Sequence, residues 1–273
     1  MSSPTTPPWF DFRLRPLQEI APWHGPDGPS LDWFGLTAGT YWIGFGSQPL
    51  SGPVDAENIL ASSLSCDLQV ARLFDDVTAL APYALVEVPP RVDAFLRGTT
   101  GQAWRDYREA WWQLPDDLPQ TEELDSLRST AWKTKRLRTL STSDLQPSFE
   151  ILMWSFEGRV HIKWENRETV SGDSPRRRVL RGGAFPTRER FIDELEDFST
   201  RLCDAMEERV RQVRQGAVGP LTRIDIDSLV REQGMRRQQL AHALAHPGYA
   251  DDWSAVAAAI DKLDCLRWRR QPR

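Results

Sequence analysis

Apolar and polar positions alternate with period two in three stretches of the chain and recur every three or four residues through much of the rest. Phe10, Phe12 and Leu14 alternate with Asp11, Arg13 and Arg15, the pattern of a half-buried strand, which Pro16 ends. Pro, Gly and His cluster from Pro22 to Pro29 and predict a loop. Leu31 to Gly46 (LDWFGLTAGTYWIGFG) reads as a hairpin turning at Ala38-Gly39. In that register Leu36 faces Tyr41 and Phe34 faces Ile43 on an apolar face, while Trp33 lies across from Gly44 and Gly35 from Trp42 on the other. A second hairpin spans Phe149 to Asn166 (FEILMWSFEGRVHIKWEN) and turns at Glu157-Gly158. One face carries Phe149, Ile151, Met153, Ser155, Val160, Ile162 and Trp164 and belongs to a core. The other carries Glu150, Leu152, Trp154, Phe156, Arg159, His161, Lys163 and Glu165, with Trp154 opposite His161 and Glu150 opposite Glu165.

Helical spacing accounts for the remaining elements. Val70, Phe74, Val77 and Ala81 form one stripe of a helix over 67–80 that Pro82 stops, and Val88-Pro89-Pro90 is an extended break. Trp104, Tyr107 and Trp111 share a face of a helix over 102–114, which reads as core. In the helix over 122–140, Glu122, Glu123 and Asp125 stand at the start and Lys133, Lys135, Arg136 and Arg138 toward the end, complementing the helix dipole. The longest helix runs over 188–214 after Thr187 as N-cap. Its stripe of Phe191, Leu195, Phe198, Leu202, Met206, Val210 and Val213 predicts packing across the sheet. A break at 216–220 precedes two tail helices, the first capped by Asp227 and stopped at Pro247-Gly248, the second carrying Trp253, Val256, Ile260 and Leu263. The expected fold is therefore α+β, a mainly antiparallel sheet built from hairpins and covered by helices, one of them long and in the C-terminal half. Residues 1–8 read as a flexible leader, 9–215 as the α+β domain and 221–273 as a small helical appendage packed on it.

Composition narrows the class. The 273 residues suffice for one large or two modest domains. Lys+Arg number 34 against 39 Asp+Glu, a net charge of -5, which argues against nucleic acid or an anionic membrane as the main partner. No apolar run is long enough to span a bilayer, and the Pro-rich start (MSSPTTPP) is no secretory signal. The three cysteines, Cys66, Cys203 and Cys265, are scattered and form neither a CxxC nor a zinc spacing, which suits free thiols in a reducing cytoplasm. Arg so far outnumbers Lys (30 to 4) that a GC-rich bacterial genome is the expected source.

Candidate chemistry is sparse. The outer face of the second hairpin is where a histidine, paired acids and aromatics converge: Glu150, Trp154, His161, Lys163 and Glu165, with Lys163 placed to neutralise the opposed glutamates. That face reads as a solvated or partly helix-covered network, or as a polar binding site. Trp33 and Trp42 form a second candidate, an aromatic platform across their glycines. His242 and His246 have metal-ligand spacing in HALAH but lack a zincin glutamate and a third ligand, so no metal or cofactor is expected. GxSxG, P-loop and GxGxxG motifs are absent, and Cys66 and Cys203 have no assignable base. Arg176-Arg177-Arg178 and the arginines of the C-terminal LRWRRQPR are the places where phosphate would bind if nucleic acid were a partner.

The segments FRLRPL (12–17), LDWFGLTAGTYWI (31–43), GRVHIKWEN (158–166) and FIDELEDFSTRLCDAMEERVRQV (191–213) resemble an uncharacterised family of proteins from GC-rich bacteria, a domain of unknown function. The resemblance covers most of the chain and reaches the tail around Trp253; it implies a single family module and carries no activity, substrate or catalytic residue. The expected function is that of a non-enzymatic cytoplasmic protein-binding module, immunity or antitoxin-like, since Trp and Arg make good contact anchors and no catalytic signature appears. The alternative is a hydrolase or small-molecule-binding protein using the polar face of the hairpin over 149–166.

Overall fold

A computed structural model of the chain describes residues 8–26, 28–45, 68–112, 121–142, 148–166, 181–217, 223–246, 248 and 252–268. The fold is α+β, and every named strand pair is antiparallel. It divides into two compact units interleaved along the sequence, one holding the described residues of 1–81 and 189–246, the other those of 82–143, 147–188 and 247–273. Among the described residues the single sheet expected from the alternating stretches is instead three: a three-stranded sheet, a two-stranded ribbon and a four-stranded sheet.

In the first unit, strand β1 (Phe10–Leu14) pairs with β4 (Ala38–Ile43), which pairs in turn with the short β5 (Leu68–Gln69). The loop expected around Pro22–Pro29 contains a ribbon of β2 (Trp23–Gly25) and β3 (Gly28–Ser30). The hairpin expected over 31–46 does not form. Asp32 instead accepts the Gly35 N–H at 2.7 Å and caps a single helical turn, α1 (Trp33–Leu36), while Thr37 Oγ1 donates to the Phe34 carbonyl. Gly39 is not a turn residue. It lies in β4 opposite Leu14, where a Cβ would stand 2.3 Å from the Arg13 carbonyl oxygen, so only glycine lets the strands approach. Trp42 therefore faces Asp11 of β1, not Gly35.

Helix α2 (Val70–Ala84) passes Pro82, which removes one i→i−4 hydrogen bond, and ends two residues later. The long helix α6 (Arg188–Arg214) has the expected limits, and its whole predicted stripe is buried. Phe198 is the hub, with ring centroids 5.7 Å from Phe10, 5.9 Å from Phe12 and 6.4 Å from Phe74. Arg209, also on α6, is buried with its guanidinium donating to the carbonyls of Leu36 and Arg15; with no carboxylate in that set, burial pushes its pKa down to about 10. Helix α7 (Ile226–Ala245) is capped by Asp225, which accepts the Ser228 N–H, and not by Asp227, which stands in the first turn.

In the second unit, β6 (Thr139–Ser141), β7 (Phe149–Phe156), β8 (Arg159–Asn166) and β9 (Arg181–Ala184) form a sheet in that order. The β7–β8 hairpin has the predicted register, Glu150 opposite Glu165 and Trp154 opposite His161. Its turn has positive φ at both Glu157 (51°) and Gly158 (72°), the conformation that matches strand twist in a two-residue loop. Helices α3 (Pro90–Gly98), α4 (Gly101–Trp112), α5 (Thr121–Arg136) and α8 (Trp253–Trp268) complete the unit. Trp104, Tyr107 and Trp111 of α4 join Phe95 of α3 and Val256, Ile260 and Leu263 of α8 in one apolar cluster. Leu152 and Trp154 of β7 belong to the same cluster, so the strand face expected to be polar is helix-covered and β7 is buried on both sides. No helix among the described residues is long and apolar enough to cross a membrane.

Candidate functional site

The outer face of β7–β8 brings the predicted residues together because the turn at Glu157-Gly158 sets their register. What they meet is supplied by helices. Helix α3 carries Asp93 and Arg97 four residues apart on one face, and they form an ion pair with Arg97 Nε 2.7 Å from Asp93 Oδ2. The other carboxylate oxygen of Asp93 accepts the Trp154 indole N–H at 2.8 Å. Trp154 is 1% exposed, and the His161 ring stacks on it with centroids 5.3 Å apart.

His161 is buried, with both ring nitrogens engaged. Arg97 Nη2 lies 3.1 Å from Nδ1 and Nε2 lies 3.3 Å from the Phe156 carbonyl oxygen. A guanidinium only donates and a carbonyl only accepts, so this geometry assigns the neutral imidazole with its proton on Nε2. Burial, followed by the positive charge of Arg97, lowers the His161 pKa from its ordinary value.

The opposed glutamates are reconciled differently from the sequence expectation. Lys163 does not neutralise Glu150. Its Nζ donates to the Arg97 carbonyl at 2.6 Å, at the end of α3, and burial lowers its pKa despite the opposing influence of Glu165. Glu150 is paired with Lys135 of α5, both side chains being almost fully buried. The Lys135 ammonium also stands 4.8 Å from the centre of the Trp104 ring. Thus Lys135, and with it the fully buried Arg138, is spent inside the unit and not presented at a basic helix end.

At the rim of this network stands an exposed group. Phe185, which follows β9, is 53% exposed, and its ring meets His161 edge-on at 5.0 Å. Arg159 Nη1 donates to the Phe185 carbonyl at 3.0 Å, and the Arg97 guanidinium lies 5.8 Å over the Phe156 ring. The sequence pattern does not single out Asp93, Arg97 or Phe185, and it places Lys135 only at the basic end of a helix. The Asp93/Arg97 spacing is visible there as a helical ion pair, but nothing in it points to a strand sixty residues away.

The other sequence candidates fall elsewhere. Trp33 is fully buried in α1 and donates its indole N–H to Gln233 at 2.7 Å, while Trp42 is half-buried in β4; they make no shared platform. His242 and His246 are exposed neighbours, ring centroids 4.2 Å apart, with His246 Nδ1 2.8 Å from the His242 carbonyl. Among the described residues no group of three His, Cys, Asp or Glu side chains is arranged to hold a metal. Cys203 is a buried free thiol whose pKa is raised by burial, and Cys265 is exposed and free. Asp252 caps α8, accepting the N–H groups of Ser254 and Ala255. Cys66, Asp251, Arg176-Arg177-Arg178 and the last five residues, 269–273, lie outside the described residues.

Neither the curated proteins nor the solved structures contain a match to the chain. A family model does match, over residues 9–259, which include both units and the hairpin that carries the network, and the chain belongs to the family it describes, the Family of unknown function (DUF5984).

Proposed function

We propose that this chain is a non-enzymatic protein-binding module of the bacterial cytoplasm, immunity or antitoxin-like in the sense that it acts by occupying a partner. The partner is proposed to dock an acidic surface at the rim of the four-stranded sheet. The observation that carries this reading is Phe185, a large exposed ring resting on the edge of a buried histidine and bordered by Arg97, Arg159 and Lys163. Aromatic and arginine side chains are the usual anchors of interfaces, and anchors already held in place lose little conformational freedom on binding. The basic groups around the ring favour carboxylates, although Glu157 and Glu165 offset part of that charge through their effects on His161 and Lys163.

The burial of the network weighs against a hydrolase or small-molecule binder working from Glu150, Trp154, His161 and Glu165. A general base needs a free nitrogen within reach of substrate, whereas both nitrogens of His161 are engaged. Glu150 is matched by Lys135 out of solvent.

Affinity capture of the tagged chain from nuclease-treated lysate of its native host, in parallel with a Phe185→Ala/Arg159→Glu variant, tests the proposal. The expected result is a near-stoichiometric protein companion that the variant loses while keeping the parent's thermal midpoint. An empty capture with the parent chain, or a companion retained by the variant, overturns it.

A further inference from the structure

We infer that the groove between α4 and α5 is a binding site for a small planar anion, an aromatic carboxylate. The groove is half-open, encloses about 670 Å³ and is lined by Arg108 and Trp111 of α4 and by Asp125, Arg128, Ser129 and Trp132 of α5. Its size lies in the range of small-molecule sites, and its wall is mostly apolar with a few polar groups, as such sites are built. It uses none of the residues around Phe185 and stands or falls independently of the protein-binding reading.

Three features set the ligand's chemistry. The first is a stacking surface. Trp132 is 40% exposed, an unusual position for an indole, and is backed by Trp104 at 5.7 Å between ring centroids with a tilt of 30°. The second is an available cation. Arg108 is exposed and makes no ion pair among the described residues; its guanidinium lies 5.9 Å from the Trp132 ring centre. The third is a donor without an acceptor. Trp111 is 3% exposed, yet its Nε1–H meets no hydrogen-bond partner among the described residues. Buried N–H groups are nearly always paired, and leaving one unpaired costs free energy that an incoming acceptor recovers.

A carboxylate on a flat ring matches all three. Its oxygens accept from the Arg108 fork and from the indole N–H, and its ring lies on Trp132. Asp125 does not repel it outright, because its carboxylate is matched by Arg128, whose Nη1 is 3.0 Å from Oδ1. Arg128 is itself held in place by a second bond from Nη2 to the Trp111 carbonyl, so the charged rim is preorganised. One accessible guanidinium and one neutral donor suit a single negative charge better than a phosphate.

The test is isothermal titration of the full chain with 2-naphthoate and with 2-naphthamide, its neutral counterpart. The expected result is saturable binding of naphthoate at least tenfold tighter than the amide. Arg108→Gln, a change at an exposed side chain, should abolish that preference without moving the unliganded thermal midpoint, and Trp132→Leu should weaken both ligands. Equal binding of the two probes, no binding of naphthoate up to millimolar concentration, or a preference unchanged in Arg108→Gln overturns the inference.

Discussion

Lys135→Met should destabilise the second unit by about 3–5 kcal/mol, the cost of leaving one member of a buried ion pair without its partner. The Lys135 and Glu150 side chains are 4% and 9% exposed, so water screens little of their attraction. At an effective dielectric constant of 20, unit charges about 4 Å apart attract by about 4 kcal/mol, in line with that range. Methionine keeps the length and apolar body of the lysine, so packing over Trp104 is nearly preserved and the loss is electrostatic. It also leaves Glu150 facing Glu165 across the strand pair without the ammonium that offsets the apposition. Glu150→Gln should cost less, about 1.5–3 kcal/mol, because it relieves that apposition and leaves the ammonium over the Trp104 ring.

The order of the two single changes is thus predicted as well as their size, and the double variant Lys135→Met/Glu150→Gln should be more stable than Lys135→Met alone. Urea unfolding followed by tryptophan fluorescence measures all four proteins, with an unchanged m-value showing that stability alone has moved. A Lys135→Met chain within about 1 kcal/mol of the parent, or strictly additive single changes, refutes the reasoning.

Three further outcomes follow from the same geometry. Gly39→Ala should cost about 3 kcal/mol in urea unfolding, since its Cβ would meet backbone at 2.3 Å and 2.9 Å, whereas Gly98→Ala, with nothing within 4 Å, should be neutral or slightly stabilising. The lowered pKa of His161 means that the unfolded chain takes up its proton first as pH falls. The stability contributed by the neutral imidazole is therefore complete above 6.5 and is lost as pH falls from there through the folded value, so His161→Phe should flatten the urea midpoint between about pH 7 and 5. Trp33→Phe should cost about 1–3 kcal/mol by the same unfolding assay, because it strands the buried Gln233 carbonyl, whose amide remains bonded to the Cys203 carbonyl at 2.8 Å.

The parts of the fold that could be read from the residues are those with a long, consistent period. Seven apolar positions along α6 and the two-residue turn of the β7–β8 hairpin each leave a single solution, and both are present with the expected limits and register. The stretch over 31–46 is short and mostly apolar, so strand and helix patterns both fit its first half. The deciding signal is Asp32 three residues before Gly35, an N-cap that makes 33–36 a helical turn and leaves the strand to begin at Ala38. Gly39 resembles a turn glycine in sequence. Its actual reason, the close approach of Arg13, depends on a partner strand that no local pattern names. The division into separate sheets is equally non-local, since it depends on β1 choosing β4 and β7 choosing β6.

The candidate site shows the same limit at the level of single side chains. Period two places Glu150, Trp154, His161, Lys163 and Glu165 on one face but leaves open what covers that face. A clue was present in Leu152, Trp154 and Phe156, which alternate along the supposedly polar side of β7. Three large apolar groups have little reason to line a solvated face, and Leu152 and Trp154 prove to be part of the cluster under α3, α4 and α8. Once that cover is in place the polar groups must satisfy one another, and they do: Asp93 with Trp154 and Arg97, Arg97 with His161, Lys135 with Glu150. A constellation whose donors and acceptors are consumed internally fixes how helices sit on a sheet and has little left for a substrate. We accordingly place recognition outside this network, at the exposed ring of Phe185 and in the groove that Trp111 lines between α4 and α5.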